Sequence, residues 1–227
     1  MKQVILFLGG FGSGKTECAV NFALHKARTG DKTVLVDLDI VNPMFRSTFF
    51  EEELREAGVE LQASESMRIA EGLPTVADTL RKVFYDDNRW VIFDVGGDQI
   101  GAVALGQFHR FFSSPQLKKQ ALFVVNTRRP ATDTVDGICW LYEKVSRIGR
   151  MEIDGFVNNT NLSTESTAEL LMEGDEILKR VSERTHKPVL FVSGSRSVLR
   201  DLEDRYADVY SGKPMPLEPK PRLPWMQ

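Results

Sequence analysis

Short apolar runs alternate with segments of helical periodicity along most of this chain. The apolar runs predict strands at residues 4–8, 32–40, 59–62, 90–95, 120–125, 153–157 and 189–192. The periodic segments predict helices at residues 17–28, 43–56, 75–84, 102–112, 132–148, 168–185 and 198–210. Nearly continuous apolar character indicates strands buried on both faces, which is typical of parallel sheets. The alternation therefore predicts an α/β fold: a doubly wound, mostly parallel sheet flanked by helices.

The pattern shows no second core and no internal repeat, so residues 1–212 are predicted to form one domain. Residues 213–227 differ, with five prolines in fifteen residues. Proline lacks the N–H that helices and sheet ladders use, so this tail is expected to form neither. We expect it to pack across the domain through Leu223 and Trp225. Docking to a partner and disorder are the alternatives.

A glycine-rich segment follows the first predicted strand and opens the first helix. Residues 9–16 read G-G-F-G-S-G-K-T and satisfy the phosphate-loop pattern G-x-x-x-x-G-K-[ST] at each fixed position. Backbone N–H groups of such a turn converge on phosphates, Lys15 reaches the β- and γ-phosphates, and the Thr16 hydroxyl ligates magnesium. The alternative is a glycine turn without a ligand. The nucleotide-binding residues predicted here are Gly10, Phe11, Gly12, Ser13, Gly14, Lys15, Thr16 and Glu17.

Acidic residues stand at the ends of two predicted strands. Asp37 and Asp39 end the second strand, and Asp94 ends the strand at residues 90–95, with Gly97 following. Ligands bind open α/β sheets at the carboxyl ends of the strands. Asp94 is predicted to hold magnesium, and Gly97 is predicted to present its N–H to the γ-phosphate.

Two later strands also end in polar residues. Arg128 and Arg129 follow the strand at 120–125, where they either meet an anionic substrate or lie in solvent. Asn158 and Asn159 follow the strand at 153–157. An amide there can read a base edge by donating and accepting together, or serve as ordinary turn chemistry.

Composition narrows the classes of function. The formal net charge of −3 gives no sign of broad attraction to nucleic acid. Cys18 and Cys139 both fall in predicted helices and form no C-x-x-C pair, so we expect buried apolar residues and no zinc site. No window is long enough to cross a membrane, and residues 1–8 are interpreted as a strand and not a signal peptide. We expect a cytoplasmic protein.

Together, the phosphate loop, the D-x-D and D-x-x-G strand ends and the G-x-x-x-N strand end (Gly155 to Asn159) resemble one group. They are similar to the MinD/ParA-like P-loop ATPases of the SIMIBI class, over residues 1–195. Members include the nitrogenase iron protein and the nucleotide domains of cobyrinate amidase and dethiobiotin synthetase.

The resemblance implies a role for each matching residue. It assigns Lys15 to the phosphates, Thr16 and Asp94 to magnesium, and Asp39 to orienting the attacking water. Asp37 supports the metal shell or the switch, and Asn159 contacts adenine. One departure concerns the signature lysine of the deviant loop K-G-G-x-G-K-[ST], since Gly10 stands at its position. This puts the trans mechanism of an ATP-sandwiched homodimer in question. Either a nearby arginine such as Arg46 replaces the lysine, or hydrolysis is slow, or the dimer is of another kind.

Two hypotheses follow. The first is a magnesium-dependent ATPase whose nucleotide state controls a protein partner. The second is an ATP-dependent small-molecule enzyme, either a ligase similar to dethiobiotin synthetase or a phosphotransferase, in which Arg46, Arg128 or Arg129 binds an anionic substrate.

Overall fold

The computed structural model describes residues 2–38, 47–62, 83, 89–97 and 99–218. Within these residues, the strands are β1 (Lys2–Gly9), β2 (Thr33–Asp37), β3 (Val59–Gln62), β4 (Trp90–Asp94), β5 (Leu117–Val125), β6 (Gly155–Asn158), β7 (Val189–Gly194) and β8 (Lys213–Pro216). They form one sheet in the order β3-β2-β4-β1-β5-β6-β7-β8, and each neighbouring pair is parallel. The predicted α/β architecture is confirmed.

The helices with described bounds connect these strands. They are α1 (Lys15–Arg28), α2 (Glu51–Glu56), α3 (Gln99–Gln107), α4 (His109–Phe112), α5 (Val135–Gly149), α6 (Ala168–Thr185) and α7 (Arg196–Tyr206), with short 3-10 turns at Ser47–Phe50 and Ser163–Glu165. None of the helices in the described part of the chain is both long and apolar enough to cross a bilayer.

Several element boundaries differ from the predicted ones. Helix α5 begins at Val135, after Thr134, whose side chain accepts a hydrogen bond from the Gly137 N–H and caps the helix. The helix predicted at 102–112 is divided at Phe108, whose ψ of 9° is not helical. Strand β5 starts at Leu117, earlier than predicted, because its polar first residues still pair with β1.

Other predicted elements are described only in part. Of the helix predicted at 43–56, a 3-10 turn and α2 account for residues 47–56. Residues 43–46 lie outside the described residues, as do residues 39 and 40 of the second predicted strand. The helix predicted at 75–84 is described at Val83 alone, which is helical.

Both faces of the sheet are covered, as the continuous apolar runs predicted. In β1, Ile5 and Phe7 point to the face that packs against α1, through Ala19 and Ala23. Val4, Leu6 and Leu8 point to the other face, which packs against α5. Cys18 and Cys139 are buried in α1 and α5, as predicted. The residue period of two along the strand thus decides which helix each side chain meets.

The expectation that the tail forms no regular structure is wrong for its first four residues, which form β8. The N–H of Leu217 donates to the Gly194 carbonyl, so alternate residues of this segment face β7. Pro214 and Pro216 occupy the positions between, where a strand's N–H points away from the sheet and none is needed. The prolines therefore end the sheet at this edge. Residues 219–227 lie outside the described residues, and the division into domain and tail stays a prediction.

Candidate nucleotide-binding site

The phosphate-loop residues join the end of β1 to the first turn of α1, as the motif requires. Gly12 and Gly14 have φ values of 70° and 89°, in the left-handed region that favours glycine. Gly14 is also the N-cap of α1, so the positive end of the helix dipole opens on this loop. The predicted residues that the structure brings together in this loop and first turn are Gly10, Phe11, Gly12, Ser13, Gly14, Lys15, Thr16 and Glu17.

Lys15 lies across its own loop. Its side chain is only 6% exposed, and its Nζ donates to the Gly10 carbonyl oxygen at 2.9 Å. The ammonium group is therefore held over the concave side of the turn and does not extend into solvent. This is the cation that the motif assigns to the phosphates.

Gly97 of the D-x-x-G element contacts the same place. A Cβ built on Gly97 would lie 2.7 Å from the Lys15 Nζ and 2.9 Å from the Phe11 amide nitrogen. No side chain fits this position without movement of the loop. The structure therefore brings the loop after β4 into direct contact with the phosphate loop.

Asp37 and Asp94 are neighbours on adjacent strands. They are register partners in the parallel pair β2–β4, and each is 1% exposed. Their side chains share the sheet face of Leu35 and Ile92, which is the face that α1 covers. Asp37 Oδ2 accepts hydrogen bonds from the backbone N–H and the hydroxyl of Ser47, at 3.3 and 3.2 Å.

This pair fits a divalent cation. Two buried carboxylates side by side repel each other unless a positive charge offsets them. Thr16, in the first turn of the helix on the same face, adds a hydroxyl, and an all-oxygen ligand set suits Mg²⁺. Among the described residues, no group of three or more His, Cys, Asp or Glu side chains forms a metal site. The predicted water-orienting residue Asp39 lies outside the described residues.

Asn159 bonds to the phosphate loop and not to solvent. Its Nδ2 donates to the Ser13 carbonyl at 2.7 Å, and its Oδ1 accepts from the Ser193 hydroxyl at 2.8 Å. Asn158 faces α6 instead: its Nδ2 donates to the Leu171 carbonyl at 2.9 Å, and its Oδ1 accepts from the Thr160 N–H. Both asparagines are buried, and each amide atom retains capacity for one more bond. Adenine contact by Asn159 stays a prediction.

The two arginines after β5 take different positions. Arg128 forms an ion pair with Glu173 of α6. The Arg129 Nε donates to the Gly12 carbonyl at 3.0 Å, so this side chain lies against the phosphate loop. Arg46 lies outside the described residues.

Gly10 is enclosed by a helix on its outer side. A Cβ built on Gly10 would lie 2.9 Å from Cδ2 of Leu141, in α5. A lysine at this position, as in the deviant loop, would require Leu141 to move. The missing signature lysine and the packing of α5 are therefore consistent with each other.

Cys18, one turn into α1, is not poised for chemistry. Burial raises the pKa of its thiol far above the usual range, and the nearby Glu17 carboxylate acts in the same direction. The thiol therefore stays neutral and packs as a small apolar group, as the sequence indicated.

Sequence reasoning missed two supporting residues, Ser47 and Ser193. Both are fully buried and bond a predicted site residue, Ser47 to Asp37 and Ser193 to Asn159. A serine has no distinctive spacing in the sequence, so its partner is visible only after folding. For Arg129 the sequence left two alternatives, contact with an anionic substrate or exposure to solvent; its side chain is exposed and also bonds the phosphate loop.

Comparison with known proteins identifies relatives by structure alone. No protein-family model matches the chain, and no curated protein matches it. Similar solved structures include the cell division protein FtsY of Thermotoga maritima, with TM-score 0.55 and 18% identity over 85% of this chain and 62% of that chain. Chloroplast FtsY of Physcomitrella patens has TM-score 0.57 and 16% identity over 85% of this chain and 58% of that chain.

A further similar structure is a nucleotide-binding protein of Archaeoglobus fulgidus in complex with ADP. It has TM-score 0.55 and 11% identity, over 92% of this chain and 91% of that chain. The present chain thus spans about three fifths of the two FtsY chains and nearly the whole of the archaeal protein. At these identities the likeness concerns the fold. The chain has the P-loop nucleoside triphosphatase fold, a parallel sheet flanked by helices.

Proposed function

We propose that this protein is a magnesium-dependent, ATP-binding and ATP-hydrolysing switch of the MinD/ParA-like type. The observation that carries the proposal is the contact between two elements: the phosphate loop with Lys15, and the loop after β4 whose Gly97 rests on the Lys15 ammonium. The carboxylates of Asp37 and Asp94 lie at the ends of the adjacent strands β2 and β4. The Lys15 ammonium, the phosphate loop and the loop after β4 are thus adjacent.

The contact of Gly97 with Lys15 supports a switch. The third phosphate of a triphosphate has to reach the Lys15 ammonium, which Gly97 now contacts. Binding of a triphosphate is therefore proposed to change the position of residues 94–97 or of Lys15, and a diphosphate lacks the γ-phosphate that Gly97 is predicted to meet. Helix α3 begins at Gln99, directly after this loop, and transmits the change to the surface.

Hydrolysis needs little covalent chemistry from the protein. The water oxygen forms a bond to the γ-phosphorus, and the bond to the β–γ bridging oxygen breaks with its electron pair leaving on ADP. The protons of the water pass to the phosphate product and to solvent. Lys15 and the loop N–H groups hold the phosphates, and Asp39 is proposed to orient the water.

Three residues are proposed to hold magnesium: Asp37, Asp94 and Thr16. A magnesium ion held by these residues would offset the negative charge that develops as the bond breaks. The protein's part is to hold the two carboxylates side by side, and the Ser47 hydrogen bonds orient Asp37.

Adenine is the proposed base because Asn159 is followed by Thr160, Asn161 and Leu162 and not by the Lys-x-Asp that reads guanine. We propose a protein partner and a homodimer in the cytoplasm. The side chain of Phe11, 77% exposed on the phosphate loop, leaves an apolar group for such a contact.

The test uses the purified chain with ATP, GTP and their non-hydrolysable analogues, with and without Mg²⁺. Calorimetry measures binding, phosphate release measures hydrolysis, and light scattering measures mass in the same samples. We expect Mg²⁺-dependent ATP hydrolysis that Lys15→Ala abolishes, with a doubling of mass in ATP. ATP hydrolysis at the wild-type rate in Lys15→Ala would contradict the proposal.

The second candidate is an ATP-dependent small-molecule enzyme, of the dethiobiotin synthetase or phosphotransferase kind. The exposed guanidinium of Arg129 beside the phosphate loop favours it, because a second, anionic substrate could bind there. This candidate predicts a constant mass in ATP and a metabolite that stimulates ATP consumption and becomes phosphorylated or cyclised.

A further inference from the structure

The loop after β5 holds Arg129 in a defined position. The Arg129 N–H donates to the Asn126 carbonyl at 3.2 Å, and the Thr132 N–H donates to the Arg129 carbonyl at 2.9 Å. The buried Thr132 hydroxyl closes the loop by donating to the same Asn126 carbonyl at 2.7 Å. The backbone of Arg129 is therefore fixed at both sides, and the side chain starts from an ordered position.

The Arg129 side chain extends from this loop onto the phosphate loop. Its Nε bonds to the Gly12 carbonyl at 3.0 Å, and a Cβ built on Gly12 would lie 3.7 Å from the guanidinium carbon. The terminal nitrogens of Arg129 make no hydrogen bond or ion pair with any residue that the structure describes. One donor is thus used to brace the loop, and the charged end stays available.

Its neighbour Arg128 differs in this respect. The Arg128 guanidinium is paired with the Glu173 carboxylate on α6, so its charge is offset locally. Of two adjacent arginines with the same charge, only Arg129 is placed against the glycine turn whose N–H groups converge on phosphates. The two arginines therefore differ in position and in the partner of the guanidinium.

We infer that Arg129 is a second cationic phosphate ligand, supplied by the same chain, that distinguishes a nucleoside triphosphate from a diphosphate. This inference rests on the proposed function. Gly10 provides no side-chain charge at the position of the deviant-loop lysine, and Leu141 packs against it. Arg129 provides one from the side of Gly12. A guanidinium with two free nitrogens matches the paired oxygens of a phosphate.

The test compares Arg129→Gln with Arg128→Gln, which remove the same charge from adjacent positions. A glutamine at 129 retains an N–H that can donate to the Gly12 carbonyl, so bracing of the loop is preserved while the charge is lost. Calorimetry with ATP analogue and with ADP, both with Mg²⁺, gives the preference for triphosphate. Phosphate release gives kcat and KM.

We expect Arg129→Gln to lower the triphosphate-over-diphosphate preference by about tenfold, the loss of one charge-assisted bond, and to lower kcat/KM for ATP. Arg128→Gln should match the wild type. Equal loss of ATP analogue and ADP binding in Arg129→Gln would mean that the residue only braces the loop, and would overturn the inference. So would an unchanged preference with reduced affinity for a second, anionic substrate.

Failure of the proposed function would look different. In that case the wild-type chain itself would bind neither nucleotide or would not hydrolyse ATP, and the Arg129 comparison would not be the discriminating result. A wild type that binds and hydrolyses ATP, with Arg129→Gln indistinguishable from Arg128→Gln, would overturn the inference alone.

Discussion

A hydrogen bond between Asn159 and Ser13 joins the segment after β6 to the phosphate loop. The Asn159 Nδ2 donates to the Ser13 carbonyl at 2.7 Å, and a Cβ on the adjacent Gly14 would lie 2.1 Å from the same nitrogen. Side chain and loop are therefore in close contact. Asn159, directly after β6, therefore holds the phosphate loop through this hydrogen bond.

Replacement of Asn159 tests this support. Asn159→Ala removes bonds to Ser13 and Ser193 inside the protein, so we expect the free energy of unfolding to fall by about 1–3 kcal/mol. Nucleotide affinity should fall as well, because the loop loses its brace. The control is Thr127→Val, which removes a buried hydroxyl bond to Thr160 and leaves both bonds of Asn159 in place. Urea unfolding and calorimetry measure the two effects; equal nucleotide affinity in both variants would contradict the prediction.

Gly97→Ala tests the contact between the loop after β4 and Lys15. The added methyl group would lie 2.7 Å from the Lys15 Nζ, so one of the two loops has to shift. We expect at least about a tenfold loss of ATP turnover, since misplacement by about 1 Å is enough for larger losses. Gly194→Ala is the steric control, because its Cβ would meet neighbours only at 3.6 Å or more. Normal turnover in Gly97→Ala would show that the contact is not part of the mechanism.

Asp94→Asn tests the proposed magnesium site. It removes one of two neighbouring buried charges, so the free protein should lose little stability. The wild type should gain about 2.7 kcal/mol from Mg²⁺ and nucleotide at a hundred times their Kd, and Asp94→Asn should lose the Mg²⁺-dependent part. Thermal unfolding with ATP analogue, with Mg²⁺ or with a chelator, measures it.

The control for this experiment is Asp154→Asn. Asp154 directly precedes the first residue of β6 and therefore lies away from the carboxyl end of that strand. Its side chain accepts a hydrogen bond from the Ala121 N–H. Its replacement should leave the Mg²⁺ effect intact. A Mg²⁺ effect of equal size in Asp94→Asn and Asp154→Asn would remove Asp94 from the site.

Residues that follow β8 should contribute to stability through packing more than through charge. Leu217 is buried in the cluster that contains α1, and Leu217→Ala should cost about 2–5 kcal/mol. The adjacent Glu218 forms an exposed ion pair with Arg28 at 2.7 Å, and Glu218→Ala should cost about 0–1 kcal/mol. Urea unfolding of both variants provides the comparison. Equal costs would mean that this segment is held by its charges.

Local patterns in the sequence were enough to predict the architecture and the phosphate loop. Each buried strand is a continuous apolar run, and the loop motif needs only neighbouring residues, so both are readable without the fold. The strands at 59–62 and the helix at 168–185 have the predicted bounds. The boundaries that moved are those where a cap or a pairing partner decides, as at Thr134 and Leu117.

Relationships between distant segments were decided by the tertiary structure. Three such relationships depend on how strands and loops from different parts of the chain meet. They are the register that sets Asp37 beside Asp94, the different contacts of Arg128 and Arg129, and the partners of Asn159. Formation of strand β8 also depends on tertiary structure, because its prolines are tolerated only in an edge strand, and here that strand pairs with β7. The sequence by itself determined the fold class, the phosphate loop and the acids at the strand ends. Only the tertiary structure decided which of those groups touch, because contact requires the folded sheet to bring its carboxyl ends together.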